Sequence, residues 1–423
     1  MAELYNLPTI PVSVVVVQRV SFCKHPKLVL NMNPLIKWAG GKSDELKHIK
    51  YTIPQFNRYF EPFLGGGALY FELEPQKGYV NDVSADLILF YKLLKEKNGK
   101  KRQFKEELYA YVKNWEKINK YMEHFGNSFL TIYNKFKSNK ITDQKFNDAI
   151  RGLFEKKIIP FNGLFSNSFC INQNDLRVSI QKNVVRRLKR VKDNIDIKNH
   201  FSDKEIMKNV ETAFRSGFYL HFRSIMNKFG NGAIELGDEK RIANYYFVRE
   251  FCYGGMFRFN DNGEFNVPYG GNAYNKKDFR KKVDSLFNLD VGELLDRTII
   301  DCMDFEAFLN KHKPTDKDFI FFDPPYDTEF SEYEVNPFNR QDQERLAKII
   351  RNLDAKFILI IKETPFIKSL YEGHKGINIA SFDKLYKFNI RGRNDTGVRH
   401  LIIHNFERLP EQKNLKSQII ITS

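Results

Sequence analysis

The run Asp318-Phe319-Ile320-Phe321-Phe322 ends abruptly in Asp323-Pro324-Pro325-Tyr326. The first five residues have the length and aromatic content of a buried strand. Two consecutive prolines then fix φ twice and remove two amide donors, so neither strand nor helix continues through them. The chain must turn, and it turns at a strand end, where open α/β sheets bind their ligands. That turn is stiff and rich in free carbonyl acceptors, with a carboxylate before it and an aromatic ring after it. Such groups suit a planar ligand carrying an exocyclic amine. The same residues also fit a plain strand-ending turn with a surface Asp and a packed Tyr, so the decision rests on the remainder of the chain.

With 423 residues and 42% hydrophobic content, the chain is long enough for two globular domains. Its formal net charge of +16 favours a polyanionic partner, most simply nucleic acid. Cys23, Cys170, Cys252 and Cys302 lie far apart with no C-x-x-C pair. This argues against zinc or a disulfide framework and for a reducing, cytoplasmic setting; no metal is expected. The apolar stretch at residues 12–20 falls far short of the roughly 20 residues that cross a bilayer. The leading segment carries Glu3 and no positive charge, unlike a signal peptide, and no membrane association is expected. Residues 1–32 read as an N-terminal extension, with translation from Met32 as one hypothesis.

Pro34-Leu35-Ile36-Lys37-Trp38-Ala39-Gly40-Gly41-Lys42-Ser43 precedes an amphipathic run over residues 44–53. Backbone amides and a lysine at a helix start suit an anion. The first glycine of a Walker A loop is missing, and a bare loop with a serine cap fits as well. Next, Arg58-Tyr59-Phe60-Glu61-Pro62-Phe63-Leu64-Gly65-Gly66-Gly67-Ala68-Leu69 reads as an aromatic strand passing through three glycines into a helix. Glycines at such a turn admit a ligand close to the backbone. Gly78-Tyr79-Val80-Asn81-Asp82 follows as a second strand ending in an acid. Strand, glycine turn, helix and strand-end acid form a nucleotide-binding unit, with the acid placed for ribose hydroxyls. The third glycine of a dinucleotide fingerprint is absent, which disfavours a nicotinamide and leaves a single adenosine-bearing cofactor.

In order along the chain, Lys37-Trp38-Ala39-Gly40-Gly41-Lys42, Glu61-Pro62-Phe63-Leu64-Gly65-Gly66-Gly67, Asn81-Asp82 and Asp323-Pro324-Pro325-Tyr326 resemble the motifs of the Dam-like DNA adenine-N6 methyltransferases. This is the α-group order of amino-methyltransferases: cofactor motifs, a recognition insert, then the catalytic motif. Phe257-Arg258-Phe259-Asn260 and Phe265-Asn266-Val267-Pro268-Tyr269-Gly270 look like the segment leading through the family's DNA-reading hairpin. The resemblance covers residues 34–96 and 240–405 well. It implies an α/β fold: a Rossmann-like methyltransferase sheet with a largely helical inserted target-recognition domain plus a β-hairpin. The catalytic domain would comprise residues 33–96 and 275–410, the insert 97–274 with the hairpin near 252–271, and the C-terminal tail 411–423. The implied cofactor is S-adenosyl-L-methionine and the implied partner double-stranded DNA. A monomer is expected, and a cognate restriction endonuclease acting on the same site is one expectation left open.

On this resemblance Asp323, Pro324, Pro325 and Tyr326 are catalytic. The Asp323 carboxylate and Pro324 carbonyl accept the hydrogens of the target amine, and Tyr326 stacks on a base turned out of the duplex. Asp82 would hold the ribose hydroxyls, while Trp38, Lys42, Glu61, Pro62, Phe63, Gly65, Gly67 and Asp323 enclose the rest of the cofactor. Asp304 and Phe305, after a strand over residues 298–303, would flank its adenine. Lys37, Arg258, Asn260, Asn262 and Asn266 are the expected DNA contacts. Arg and Asn are the side chains that reach guanine and adenine edges, although Asn around Asp261-Asn262-Gly263 also suits the turn itself.

Residues 97–239 are basic and mostly helical in pattern, with helices expected over 103–118 and 182–195. Arg186, Arg187, Lys189, Arg190 and Lys192 on the second would line a phosphate-facing stripe or a solvated face. Phe161-Asn162-Gly163-Leu164-Phe165-Ser166 repeats the start of the hairpin segment without its tail and is read as coincidence. Helices over 276–287 and 341–353 and strands over 356–361 and 401–406 continue the α/β alternation. Lys362-Glu363 stands where the family commonly has Ser-Asn, and 391–395 is a polar loop. Two other readings stay open. Cytosine-N4 methylation poses the same chemistry, but such enzymes often carry Ser or Thr in place of Asp323. A catalytically silent DNA-binding subunit has no need for Lys42, the glycine turn and Asp82 together.

Overall fold

Strand β1 (Tyr59–Glu61) lies at the centre of a sheet completed by β2 (Gly78–Asn81), β3 (Thr298–Asp301), β4 (Phe319–Phe322), β5 (Lys356–Lys362), β6 (Asn378–Leu385), β7 (Gly397–His404) and β8 (Ile420–Ile421). The computed structural model describes residues 32–38, 40, 45–49, 52–158, 160–161, 166–193, 201–326, 338–385, 397–407 and 420–421. The sheet order is β3-β2-β1-β4-β5-β7-β6-β8. Strands β1 to β5 pair in parallel, and β7 runs antiparallel between β5 and β6. The chain steps outward from β1 through β2 to β3, returns to β4 beside β1, and continues outward through β5. The reversal between β1 and β4 opens the crevice at which such sheets bind ligands.

Apart from the edge strand β3, the parallel strands are buried along nearly their whole length. Parallel sheets are covered on both faces, which is why Phe319-Ile320-Phe321-Phe322 reads as a continuous apolar run rather than an alternation. Its side chains divide between two cores. Phe319 and Phe321 join Tyr59, Ile358 and Ile360 on one face, in a cluster continuous with Phe104, Trp115, Phe218 and Phe247 of the insert. Ile320 and Phe322 join Phe60, Leu359 and Ile361 on the other, beneath Leu346 and Ile350.

The insert is helical as expected, but its helices have other bounds. The first runs Gly99–Lys137, well beyond residue 118, and the one expected at 182–195 begins at Gln173 and is described to Asp193. Helices Asp143–Leu153, Asp203–Gly230 and Asp238–Phe251 complete it. Gly217 explains one close crossing: a Cβ there would lie 2.4 Å from Ile180 Cα, so two helices meet backbone to backbone. Of the basic residues expected to form a stripe, Arg187 donates to Asn209, Lys189 pairs with Asp143, and Lys192 donates to Phe136 O and Asn139. They knit the insert together, while Arg186 and Arg190 are exposed.

Strand β6 was not anticipated, and the expected last strand corresponds to β7, which starts earlier at Gly397. The expected helix over 276–287 is represented by the short Asn272–Asn275 and by Phe279–Leu286, followed by an unforeseen Leu289–Asp296. Among the described residues, no helix is long and apolar enough to cross a membrane. The extension to residue 31, Lys42, residues 162–165, residues 391–395 and most of the tail lie outside the described residues.

Candidate active site

The Asp323–Tyr326 turn leaves β4 at the crevice. Pro324 is buried, Pro325 exposed, and Asp323 and Tyr326 half-buried. The Pro325 carbonyl accepts from Gln343 Nε2 at 2.8 Å, and Gln343 is fully buried. Gln343 sits in the first turns of helix Arg340–Arg351, whose start is fixed by a reciprocal Asn339–Asp342 capping box. A buried amide on a capped helix therefore holds the proline turn, which has carbonyls to offer and no donors of its own. The Tyr326 ring meets His400 edge-on at 5.2 Å. His400, on β7, is fully buried, 3.8 Å from a Glu45 carboxylate oxygen and 5.5 Å from the Phe382 ring. Sequence reasoning missed both Gln343 and His400, because the helix and the strand that carry them meet the β4 turn only in the folded sheet, where β7 stands one strand beyond β5.

The glycine turn after β1 is bound to the end of β2. Leu64 N donates to Asn81 O at 2.8 Å, and Gly65 N donates to Asp82 Oδ2 at 2.9 Å. Asp82 Oδ1 accepts from Ser84 N at 2.9 Å. Gly65 and Gly67 adopt φ of +48° and +67°, the left-handed region that favours glycine. A Cβ on Gly65 would also lie 2.7 Å from Trp38 Cδ1, so the indole covers the turn. The buried Asn81 side chain donates to Pro62 O (3.0 Å) and Met303 O (2.9 Å) and accepts from Met303 N (3.0 Å). One amide thus ties together the ends of β1, β2 and β3.

Glu61, Asp82 and Asp323 follow or end the adjacent strands β1, β2 and β4. Glu61 is buried and accepts from Tyr59 Oη at 2.8 Å. Burial pushes its carboxyl well above the ordinary range, and the neighbouring charges of Asp323 and Asp82 push it the same way. Asp82 is likewise raised by burial, against which the amides of Ser84, Gly65 and Val83 act. Three acids brought together at reduced hydration make a site that a cation would relieve.

Beside them, Phe63 and Phe305 lie 5.4 Å apart, and each touches Phe338, at 5.5 and 5.7 Å. Pro62, next to Phe63 in the chain, is buried. Asp304 turns outward. Its carboxylate caps helix Phe305–His312 and forms a two-pronged pair with Arg345, both contacts at 2.8 Å. Among the described residues, no group of three or more His, Cys, Asp or Glu side chains gathers as a metal ion would require.

The hairpin forms where expected, about a turn at Asp261-Asn262-Gly263, with Gly263 at φ +73°. Arg258, Asn262 and Asn266 are exposed. Arg258 Nη2 donates to Asn266 O at 2.6 Å. Asn260 is different: its Oδ1 accepts from Asn262 N and Glu264 N, and its Nδ2 donates to Glu264, so its side chain belongs to the turn. Lys37 donates its backbone amide to Glu250 at 2.9 Å and its Nζ to Tyr274 Oη. Arg249, fully buried, donates to Gly255 O (2.7 Å), Met256 O (2.8 Å) and Lys37 O (3.3 Å). Its guanidinium lies 3.6 Å from the centroid of Phe257, whose ring meets Trp38 at 4.5 Å. Arg249 therefore joins the hairpin base to the segment that covers the glycine turn. A charged residue inside the aromatic run Tyr245-Tyr246-Phe247-Val248-Arg249-Glu250-Phe251 was the available signal.

A family model described as D12 class N6 adenine-specific DNA methyltransferase matches residues 38–174 and 179–388. Among curated proteins, Type II methyltransferase M.MjaIII of Methanocaldococcus jannaschii is 27% identical over 397 residues, covering 89% of this chain and 100% of the relative. Type II methyltransferase M.CviBI of Paramecium bursaria Chlorella virus NC1A is 24% identical, with 89% and 100% covered. A DNA adenine methylase of Vibrio cholerae is 22% identical, with 85% and 91% covered.

Proposed function

The chain belongs to the D12 class of N6 adenine-specific DNA methyltransferases, and from that membership we propose that Asp323–Tyr326 is its catalytic turn and the β1–β2–β4 crevice its cofactor site. The convergence of Glu61, Asp82 and Asp323 on adjacent strand ends carries this reading. S-adenosyl-L-methionine fits that donor set, because it brings a sulfonium and an ammonium to a site where Asp323 and Asp82 add to the burial that raises Glu61. When bound, it supplies an electrophilic methyl group. Asp82 would hold its ribose hydroxyls with the lone pairs left over from Gly65 and Ser84. Pro62, Phe63 and Phe305 would line the adenine. Trp38, Lys42 and the Gly65–Gly67 turn would enclose the rest. Asp304, committed to a helix cap and to Arg345, fits an outer position better than a direct contact.

The exocyclic nitrogen of adenine is conjugated with its ring, so its lone pair is a weak nucleophile. The Asp323 carboxylate and the Pro324 carbonyl would accept its two hydrogens, favour a pyramidal nitrogen and stabilise the positive charge that develops. Gln343 fixes the next carbonyl of the turn and keeps those acceptors aimed. Tyr326, backed by His400, would stack on a base turned out of the duplex, since the amine is otherwise paired and buried. The proton can leave after methyl transfer, so Asp323 need not be a strong base.

Double-stranded DNA would meet the exposed face of the hairpin, with Arg258, Asn262 and Asn266 toward the base edges and Lys37 behind them. We assign residues 33–96 and 275–410 to catalysis and 97–274 to target recognition in a monomeric enzyme. The Type II names of two relatives favour a partner endonuclease acting on the same site. The deciding experiment incubates the chain with unmethylated DNA and S-adenosyl-L-methionine, then digests the DNA to nucleosides. N6-methyl-2'-deoxyadenosine that forms with the wild type and not with Asp323→Ala supports the reading. Transfer that persists in a folded Asp323→Ala protein removes it.

A further inference from the structure

The hairpin's two arms bond to each other along one edge, through Asn260 N to Glu264 O at 2.9 Å and Asn266 N to Arg258 O at 2.8 Å. The other edge of the returning arm carries the amide and carbonyl of Phe265 and the carbonyl of Val267. Among the described residues a helix, not a third strand, covers these groups. From Asp203–Gly230, Tyr219 Oη donates to Val267 O at 2.8 Å, and Arg223 Nη1 donates to the same oxygen at 3.0 Å. Asn227 Nδ2 donates to Phe265 O at 3.1 Å, and Phe265 N donates to Asn227 Oδ1 at 3.0 Å. Residues 219, 223 and 227 are four apart and share one helix face. Asn227 thereby reproduces the reciprocal bond pair that an antiparallel strand would supply.

These contacts fix more than attachment. Phe265, Val267 and Tyr269 are buried, while Asn266 and Pro268 between them are exposed. Because side chains alternate with a period of two, a slip of one residue would turn Asn266 inward and expose Phe265. An uncovered edge has little to resist such a slip and is open to pairing with other chains. Arg223 also lies close enough to Arg258 and Glu264 to feel both charges.

We propose that Arg223 and Asn227 are positioning residues for target-sequence discrimination, holding the hairpin in the register that aims Arg258 and Asn266 at base edges. The inference rests on the hairpin being the DNA reader. Neither residue is assigned contact with cofactor or with the reacting base.

The test gives the full chain a random-sequence duplex library and S-adenosyl-L-methionine and reads the methylated sites by sequencing. Asn227→Asp keeps the acceptor for Phe265 N but sets a carboxylate against Phe265 O. Arg223→Met removes one of the two donors to Val267 O. Each should reduce the preference for the favoured site over its single-base-pair neighbours by about tenfold, with cofactor affinity unchanged. Should Asn227→Asp fail to fold, Arg223→Met carries the test, since Tyr219 still holds Val267 O. Arg258→Ala and Asn266→Ala serve as references. If these two change the site profile while folded Asn227→Asp and Arg223→Met do not, the positioning inference is overturned and the hairpin reading stands. If Arg258→Ala and Asn266→Ala leave the profile intact, the hairpin reading fails and takes the inference with it.

Discussion

The side-chain amide of Gln343 donates to the Pro325 carbonyl at 2.8 Å from a fully buried position, so the geometry of the proline turn is set from the neighbouring helix. Replacing it with leucine keeps the volume and removes the donor. Gln343→Leu should lower kcat by as much as about a hundredfold, the cost of a small misplacement at a reacting centre. Cofactor affinity, measured by calorimetry, should stay at the wild-type value. An unchanged kcat in the folded variant would show that the turn holds its shape without this bond.

Asp323 separates chemistry from binding. Asp323→Ala should reduce methyl transfer by at least about a hundred- to a thousandfold, the usual consequence of removing an aimed electrostatic partner. DNA affinity, read by gel shift in the presence of sinefungin, should persist, because the proposed DNA contacts lie on the hairpin. Lost binding with normal turnover in the remaining complex would reverse the assignment.

Asp82 joins local structure to ligand binding. Its two oxygens accept the Gly65 and Ser84 amides, so Asp82→Ala strips the glycine turn of its anchor and, in the proposed site, the ribose of its acceptor. Calorimetric titration with sinefungin should show affinity weakened by about 10- to 100-fold, in line with one or two lost charge-assisted hydrogen bonds. An unaltered affinity would take Asp82 out of the cofactor site.

Much of this was legible before any coordinates. A proline pair can only end an element, three glycines before a helix can only be a turn, and an acid after a second strand completes a known unit. These are local signals, and the structure put Asp323, the glycine turn and Asp82 at neighbouring strand ends. Gln343, His400, Arg249 and Asn227 carried no local signal of that strength. Gln343, Asn227 and His400 work on partners 18, 38 and 74 residues away, and Arg249 reaches Lys37 across 212, through helix and strand placements that hydrophobic period alone does not specify. Asn260 shows the opposite limit. An asparagine beside Asp-Asn-Gly suits a base edge and a turn equally, and only its bonds to Asn262 and Glu264 decide.

The last prediction concerns pH and the buried carboxyl of Glu61. Its folded value is raised well above the ordinary 4.5 by burial, against which the Tyr59 hydroxyl acts and to which Asp323 and Asp82 add. The native state therefore holds a proton that the unfolded chain has already released, and stability falls as pH rises from 4.5 toward the raised folded value. Each pH unit within that window costs about 1.4 kcal/mol, on the order of 2 °C in melting temperature for a large domain. Glu61→Gln keeps an oxygen for the Tyr59 hydroxyl and cannot ionise. The variant should melt close to wild type near pH 5 and above it at higher pH, the gain growing by about 2 °C per unit until the raised folded value is passed. A cation bound among the acids would draw the same proton out, so sinefungin binding within that window should release protons in the wild type and fewer in Glu61→Gln. Calorimetry in buffers of different ionisation enthalpy measures that release directly. Equal proton release by the two proteins, together with parallel melting curves, would mean that Glu61 is not the group through which ligand charge and fold stability are linked.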